Sequence, residues 1–211
     1  MQVITSKDNE IIKNIKKLKE KKYRDIEGKY IIEGIKLIEE AIKESVNIDK
    51  IVICEDCINN DSIESKLMYE IAKNDCIYVS QKVFENITEV STPQGILAII
   101  NKKDNSNSID FSEDIIDTLS AIGRTKSDKS QNYQLHQIII TKNTADAYNS
   151  KVVRSTMGAI FRINIIQTED LSKTLNEIKK HKFKIMATSL KGNKSIYDID
   201  YNKKVIKVYL K

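Results

Sequence analysis

The chain has 211 residues, of which 40% are hydrophobic and 31% are charged. This balance is typical of a globular protein with a buried core and excludes a chain that is disordered throughout. No apolar run approaches the roughly 20 residues that a membrane helix needs, and the first residues lack the apolar core of an export signal. We therefore expect a cytoplasmic protein without membrane association, in which the three cysteines are free thiols.

The net charge of +5 is concentrated near the N-terminus. Between Lys7 and Arg24 there are eight basic and three acidic residues, so this stretch alone accounts for the excess. Such a cluster is typical of a surface that binds a polyanion such as nucleic acid. It is equally compatible with a solvated helix face that binds nothing.

The apolar residues of the first hundred positions alternate between helical and strand spacing. They predict, in chain order, a helix over residues 6–22, a strand at Lys29–Glu33, a helix at Gly34–Glu44, a strand at Lys50–Cys54, a helix at Ser62–Asn74, a strand at Ile77–Val79, a helix at Gln81–Ile87 and a strand at Ile96–Asn101. This alternation predicts an α/β sandwich with helices on both faces of a sheet.

The polar stretch rich in Asn, Ser and Asp that follows is the best candidate for a linker. We place a first domain at residues 1–103, the linker at 104–112 and a second domain at 113–211. Residues 117–134 lack apolar periodicity and are predicted to be irregular. The second domain is predicted to contain strands at Gln137–Lys142, Arg162–Ile166, Phe183–Ser189 and Val205–Leu210, and helices at Ser150–Ile160 and Leu171–His181.

Few residues have the spacing of a metal or thiol site. Cys54 and Cys57 form a Cys-x-x-Cys pair, but no second pair or nearby histidine completes the roughly four ligands of a zinc site, so we predict no metal. A thiol protein built on this pair stays an alternative. His136 and His181 are isolated in the sequence and are predicted to be surface or packing residues.

The stretch from Asn143 to Arg162 carries more information. It is a polar loop after a strand, followed by a helix that opens at Asn149 or Ser150 and carries Lys151 and Arg154 among small residues. A helix N-terminus beside basic side chains suits a phosphate or a ribose hydroxyl. The small residues equally favour close packing of the helix against a sheet.

Four segments of the chain resemble the SpoU (TrmH) family of RNA 2′-O-ribose methyltransferases, which belongs to the SPOUT superfamily. They are ITSKDNEIIKNIKKLKEKKYRDIEGKYIIEGIKLIEEAI from residue 4, STPQGILAII at 91–100, NTADAYNSKVVRSTMGAIFRINI from residue 143 and KIMATSLKGNKSIYDIDYNKKV at 184–205. The first two resemble the N-terminal substrate-binding domain of the family, and the other two resemble its methyltransferase domain. Their order along the chain is the order in the family.

The resemblance implies a fold, a cofactor and a substrate. The fold would be an N-terminal L30e-like α/β sandwich followed by a SPOUT domain, an α/β domain whose C-terminal part forms a trefoil knot that holds S-adenosylmethionine. The substrate would be rRNA, most simply 23S rRNA, and the protein would be a homodimer. Glu33 and Gly34 would be architectural. The residues implied in RNA binding are Lys13, Lys16, Lys17, Lys21, Lys22 and Arg24 in the first domain, and Asn149, Lys151 and Arg154 after them.

The chain departs from the family in its cofactor motifs. The first motif has the form Asp-Pro-Gly-Asn-Leu-Gly followed by Arg-Thr, and only Arg124-Thr125 matches it here. The resemblance makes Arg124 the catalytic candidate, which would activate or position the ribose 2′-hydroxyl. The later motif Gly-Asn-Glu-Gly is not found before Lys211, so we expect an incomplete SPOUT domain with weak or absent binding of S-adenosylmethionine. Two hypotheses remain open: an active methyltransferase, and a non-catalytic RNA-binding remnant.

Overall fold

The computed structural model describes residues 3–56, 65–103, 109–112, 115–118, 137–141, 146–187 and 205–208. The chain forms two units. The first unit comprises residues 1–103 and 146–161, and the second comprises residues 104–145 and 162–211. Residues 146–161 are grouped with the first unit, although the sequence analysis assigned them to the second domain.

The first unit alternates strands and helices in the predicted manner. In chain order it contains β1 (Val3–Ile4), α1 (Glu10–Lys17), α2 (Lys21–Glu27), β2 (Lys29–Glu33), α3 (Ile35–Lys43), β3 (Ile48–Cys54), α4 (Ser65–Ala72), β4 (Cys76–Val79), α5 (Gln81–Ile87) and β5 (Ile96–Asn101). The segment 146–161 adds α6 (Ser150–Ser155) and a 3-10 turn at Ala159–Phe161.

These strands form one mixed sheet in the order β1-β4-β3-β5-β2. β1, β4 and β3 are parallel, whereas β5 runs antiparallel to both β3 and β2. The residues of β5 from Ile96 to Ile100 are all buried, which explains their unbroken apolar run. One cluster of the core consists of Ile12, Ile15, Leu18, Val52, Cys54, Val79, Val83, Phe84, Ile87, Leu97 and Ile99.

The single helix predicted over residues 6–22 is wrong, because two helices occupy this stretch. Ile12, Ile15 and Leu18 lie on the buried face of α1, as their spacing predicts. The helix ends at Leu18, and Glu20 has the extended backbone angles φ −94° and ψ 134° before α2 begins. Lysines therefore cover two short helices in place of one long helix.

The second unit contains a sheet in which all strands are parallel. Its elements are β6 (Ile115–Thr118), β7 (Gln137–Thr141), β8 (Asn164–Thr168), α7 (Leu171–Lys180), β9 (Lys184–Ala187) and β10 (Val205–Val208). The strand order is β8-β7-β6-β10-β9. β6 corrects the prediction that the chain is irregular from residue 117, since its last two residues pair with β7 and β10. The predicted α/β fold class is confirmed.

Residues 109–112 of the predicted linker pack on the second unit. The buried Gln137 side chain accepts a hydrogen bond from the Asp110 amide (2.8 Å) and donates one to the Asp110 carbonyl (2.7 Å). The Phe111 ring stacks on His181 with 3.6 Å between ring centroids, and it meets Phe183 edge-on. His181 is thus a packing residue, as predicted. The other predicted linker residues, 104–108, lie outside the described part of the chain.

Candidate nucleic-acid interface

Five lysines of the predicted set lie on the solvent side of α1 and α2. They are Lys13, Lys16, Lys17, Lys21 and Lys22, and all are exposed. Lys13 lies 3.6 Å from Glu10, and Lys17 donates a hydrogen bond to the Asn14 side chain (3.1 Å). We call these five residues the lysine surface. Flexible exposed ammonium groups of this kind neutralise phosphates without fixed geometry.

Arg24 does not belong to this surface, which corrects the prediction that it binds RNA. Its side chain is only 4% exposed. Its guanidinium donates to the carbonyls of Leu18 (2.7 Å) and Lys19 (2.6 Å), which are orphan acceptors at the end of α1. It also forms a two-donor ion pair with the Asp146 carboxylate, with 3.1 Å from Nε to Oδ2. With these donors engaged and the side chain buried, Arg24 holds the fold together.

Lys19 is a second basic residue that turns away from solvent. Its ammonium donates to the carbonyl of Asn86 (3.2 Å), in the last turn of α5, and to the carbonyl of Thr88 (3.0 Å), which follows that helix. Burial lowers the pKa of Lys19, and the nearby Glu89 carboxylate partly opposes this effect. The contact fastens the end of α1 to the end of α5. Because the Lys19 ammonium is engaged in this contact, counting basic residues in the sequence overstates the number of cations on the surface.

The three predicted residues of α6 have three different environments. Asn149 caps the helix, because its side-chain oxygen accepts the Lys151 amide (3.0 Å), which confirms the predicted helix start. Lys151 is exposed. Arg154 is half-buried, and its Nη1 atom is buried with no hydrogen-bond partner among the described residues. Of these three residues, Lys151 alone is classed as exposed.

A small cavity with several charged side chains in its lining lies beside Arg154. It has a volume of about 20 Å³, and its lining includes Lys19, Glu33, Glu89, Ser150 and Arg154. Glu33 accepts hydrogen bonds from the Thr88 hydroxyl and the Glu89 amide, and Glu89 accepts one from the Ser150 hydroxyl. A cavity of this size holds one water molecule and no nucleotide. The network is consistent with the architectural role that the resemblance implies for Glu33.

The cysteines differ from the expectation of three free thiols. Cys54 is disulfide-bonded, so that expectation is wrong for this residue, whereas Cys76 is free. Burial raises the pKa of the Cys76 thiol, which makes it a poor nucleophile. Within the described ranges, no three His, Cys, Asp or Glu side chains are grouped to hold a metal ion. Cys57 and His136 lie outside those ranges.

The carboxyl edge of the parallel sheet is the second candidate site. Ligands of open α/β sheets bind at this edge. β6, β7 and β8 end at Thr118, Thr141 and Thr168, and the last two are register partners. The catalytic candidate Arg124, which follows β6 in the sequence, lies outside the described residues. Among the described helices, none combines the length and apolar character needed to cross a bilayer.

Two families match the chain, one in each half. Residues 9–98 match the MRM3-like substrate binding domain, and residues 119–209 match the SpoU rRNA Methylase family. Together they extend over most of the chain in the order that the resemblance implies. The chain thus contains a segment that matches an MRM3-like substrate-binding domain, followed by a segment that matches the SpoU rRNA methylase family.

Curated relatives agree with this assignment. The chain is 27% identical over 201 residues to 23S rRNA (guanosine(2553)-2'-O)-methyltransferase RlmP of Bacillus subtilis, a match that covers 94% of this chain and 78% of that enzyme. It is 25% identical over 183 residues to rRNA methyltransferase 3A, mitochondrial, of Danio rerio. The second match covers 80% of this chain and 41% of that protein.

Solved structures share the fold. An rRNA methyltransferase from Sinorhizobium meliloti superposes with a TM-score of 0.75 at 24% identity, covering 99% of this chain and 81% of that chain. The SpoU methyltransferase AviRb from Streptomyces viridochromogenes, in complex with the cofactor AdoMet, gives a TM-score of 0.73 at 16% identity. That match covers 95% of this chain and 80% of that chain. At these identities the likeness establishes the fold.

Proposed function

We propose that this protein transfers a methyl group from S-adenosylmethionine to a ribose 2′-hydroxyl of rRNA. The observation that carries the proposal is the succession of an MRM3-like substrate-binding domain and a SpoU methylase domain in one chain. The relative from Bacillus subtilis, which aligns over 94% of this chain, acts on 23S rRNA. We take 23S rRNA as the substrate class, and since this RNA lies with the ribosomes, we place the reaction in the cytoplasm.

In this proposal the lysine surface holds the RNA. The five ammonium groups cover two short helices that are fastened to the core by Lys19 and Arg24. Neutralisation of phosphates releases condensed counterions, so binding weakens as salt rises. Lys151 is exposed on α6 and is a further candidate for a phosphate contact. Asn149 and Arg154 are proposed only as supports of α6, because the Asn149 side-chain oxygen caps the helix and the Arg154 Nη1 atom is buried.

S-adenosylmethionine supplies an electrophilic methyl group on sulfonium. Transfer of that methyl group to the 2′-oxygen would release S-adenosylhomocysteine, and the hydroxyl proton would pass to solvent. The contribution of the protein is to position and polarise the 2′-hydroxyl, which is a matter of geometry and electrostatics. Arg124 is our candidate for this role, since it lies within the SpoU match and carries the Arg-Thr pair of the family motif.

Among the described residues, the arrangement of the parallel strands is the one feature that bears on cofactor binding. A parallel sheet with aligned carboxyl ends suits a nucleoside ligand, and the register of Thr141 with Thr168 aligns two such ends. The segments that follow β6, β7, β9 and β10 lie outside the described residues. We therefore assign no individual residue to the cofactor. A homodimer is proposed on the resemblance to the family.

The test uses the full chain, 23S rRNA fragments and S-adenosylmethionine with a labelled methyl group. We expect the label to appear in the RNA. Resistance of the adjoining phosphodiester to alkaline cleavage would then show that the methyl group is on the ribose 2′-oxygen. Arg124→Ala should lower the rate by roughly 10²- to 10³-fold, the usual effect of removing one positioned donor. The matched control is Lys126→Ala, which removes a neighbouring charge and should leave the rate unchanged.

RNA retention on a filter at two salt concentrations separates the two hypotheses. Methyl incorporation supports the enzyme. Salt-sensitive retention without incorporation supports the non-catalytic RNA-binding remnant, for which the lysine surface alone suffices. Absence of both would overturn the proposal. Direct titration with S-adenosylmethionine in a calorimeter checks the prediction of weak cofactor binding, which micromolar affinity would contradict.

A further inference from the structure

One aromatic side chain lies within the lysine surface. Tyr23, on α2, is half-buried, so its ring is held by the fold while part of it remains open to solvent. The ammonium of Lys17 lies 6.0 Å from the ring centroid, and that of Lys22 lies 5.8 Å from it. A half-buried ring with two cations beside it combines the two elements of a single-stranded nucleic-acid site: a stacking platform and charges for the backbone.

The two lysines beside Tyr23 are available for phosphates. Lys17 bonds only to the neutral Asn14 side chain, and among the described residues neither Lys17 nor Lys22 has a carboxylate within ion-pair distance. Their distances to the ring are at the outer limit of about 6 Å for a cation–π contact. Each ammonium can therefore move to a phosphate at little cost.

Tyr69 on α4 makes a useful contrast within the same unit. It is 66% exposed, and the Lys73 ammonium lies 4.4 Å from its ring centroid. That ammonium is paired with the Glu70 carboxylate at 2.8 Å, so its charge is already neutralised. Tyr69 therefore differs from Tyr23 in two ways. Its ring is mostly exposed, and the lysine beside it is already paired with a carboxylate.

We infer that Tyr23 stacks on an unpaired base of single-stranded RNA while Lys17 and Lys22 contact the flanking phosphates. The inference rests on the proposed function and adds to it the structural state of the RNA segment that the first unit recognises. In a duplex, stacking on the adjacent base pairs covers both faces of each base, so a tyrosine platform selects single-stranded or looped RNA.

The chain contains no tryptophan, so one substitution creates a single fluorescent reporter. Tyr23→Trp in the full chain should show saturable fluorescence quenching when titrated with a single-stranded RNA oligonucleotide of about ten nucleotides, within the range of such sites. Quenching should follow the binding curve measured by anisotropy of labelled RNA. A duplex of the same sequence should quench little, and the matched control Tyr69→Trp should not respond to either RNA.

Affinities provide an independent measure. Tyr23→Leu, which keeps an apolar side chain of similar size, should weaken binding of the oligonucleotide about 5- to 100-fold, the usual loss for one stacked base. Tyr23→Phe should retain the affinity, and Tyr69→Leu should leave it unchanged. Urea unfolding of each variant establishes that the compared chains are folded.

The outcomes separate this inference from the proposed function. If the unmodified chain binds RNA but Tyr23→Leu binds it equally well, or if Tyr23→Trp is not quenched at saturation, the stacking role is wrong and the proposed function stands. Equal quenching by the duplex would also overturn it. If the unmodified chain retains no RNA even at low salt, the stacking role and the RNA-binding role of the lysine surface fail together.

Discussion

The two basic regions of the first unit, the α1–α2 pair and the segment 146–161, use their charged side chains differently. In α1 and α2 five lysines point to solvent, and only Lys19 and Arg24 turn inward. In the segment 146–161 the Asn149 side chain caps a helix and Arg154 is half-buried, so Lys151 is the exposed basic residue of this segment. The first region provides a surface, whereas the second mainly completes the unit on which that surface is built.

The largest expected effect comes from the contact that joins the two regions. Arg24→Ala should lower the free energy of unfolding by about 3–5 kcal/mol, the usual cost of removing one partner of a buried ion pair. The substitution leaves the Asp146 carboxylate unpaired and the Leu18 and Lys19 carbonyls without their donor. Urea unfolding measures the change. Lys21→Ala on the same helix should change stability by less than about 0.5 kcal/mol, and a similar loss in both variants would break the comparison.

The sequence predicts elements well where each depends on its own residues. β2, α5 and β5 have the predicted bounds, because their apolar spacing and flanking polar residues are local signals. The break between α1 and α2 depends on Arg24, whose carboxylate partner lies 122 residues further along the chain. The pattern of residues around Arg24 does not indicate an ion-pair partner so far away in the sequence. The same distance explains why Arg24 was assigned to the RNA-binding surface and Asp146 to no role.

A second test compares two glycines with positive φ angles. Gly158, in the segment 146–161, has φ +88°, and a Cβ there would lie 3.1 Å from the Cβ of Glu40. Gly28, which ends α2, has φ +62° and open space around it. Gly158→Ala should cost about 2–3 kcal/mol of unfolding free energy, and Gly28→Ala about 1 kcal/mol. Equal losses would mean that close packing on α3 contributes nothing beyond backbone strain.

Alkaline pH tests the aromatic contact in the same segment. The Tyr148 ring lies 4.8 Å from the Tyr30 ring, and burial raises the pKa of Tyr148 to about 12, with a smaller contribution from Asp146. Burial also raises the pKa of Tyr30. In the unfolded chain these phenols ionise near pH 10. The contribution of Tyr148 to stability is therefore complete below about pH 10 and is lost between about pH 10 and 12.

We expect Tyr148→Phe to reduce this alkaline loss. Between about pH 9 and 11.5 the loss attributable to Tyr148 is about 1–2 kcal/mol, and the variant cannot ionise at this position. Urea unfolding at several pH values provides the measurement, and the difference between variant and unmodified chain removes the contribution of titrating lysines. Tyr69→Phe, at an exposed position, is the control and should leave the pH dependence unchanged. Parallel pH curves for Tyr148→Phe and the unmodified chain would contradict the assignment.

The candidate site of the second unit could be predicted less completely than its sheet. Apolar runs predict four of the five strands and α7, and the predictions for β9 and β10 extend further at the C-terminal end than the described strands. β6 was missed because its four residues border a polar stretch without periodicity. Arg124 was identified by a two-residue motif and has no described neighbours. The position of a catalytic side chain depends on loops, for which spacing carries little information.

The smallest expected effect separates the two basic regions directly. A lysine that contacts one phosphate of single-stranded RNA contributes about 0.7 to the slope of log affinity against log salt. Lys17→Gln should therefore reduce the slope by about 0.7, since its ammonium lies on the lysine surface beside Tyr23. Lys151→Gln should reduce it by less than half as much, because Lys151 has no second exposed basic residue beside it on α6. Filter retention from low to moderate salt measures both slopes, and equal reductions would show that α6 belongs to the RNA-binding surface after all.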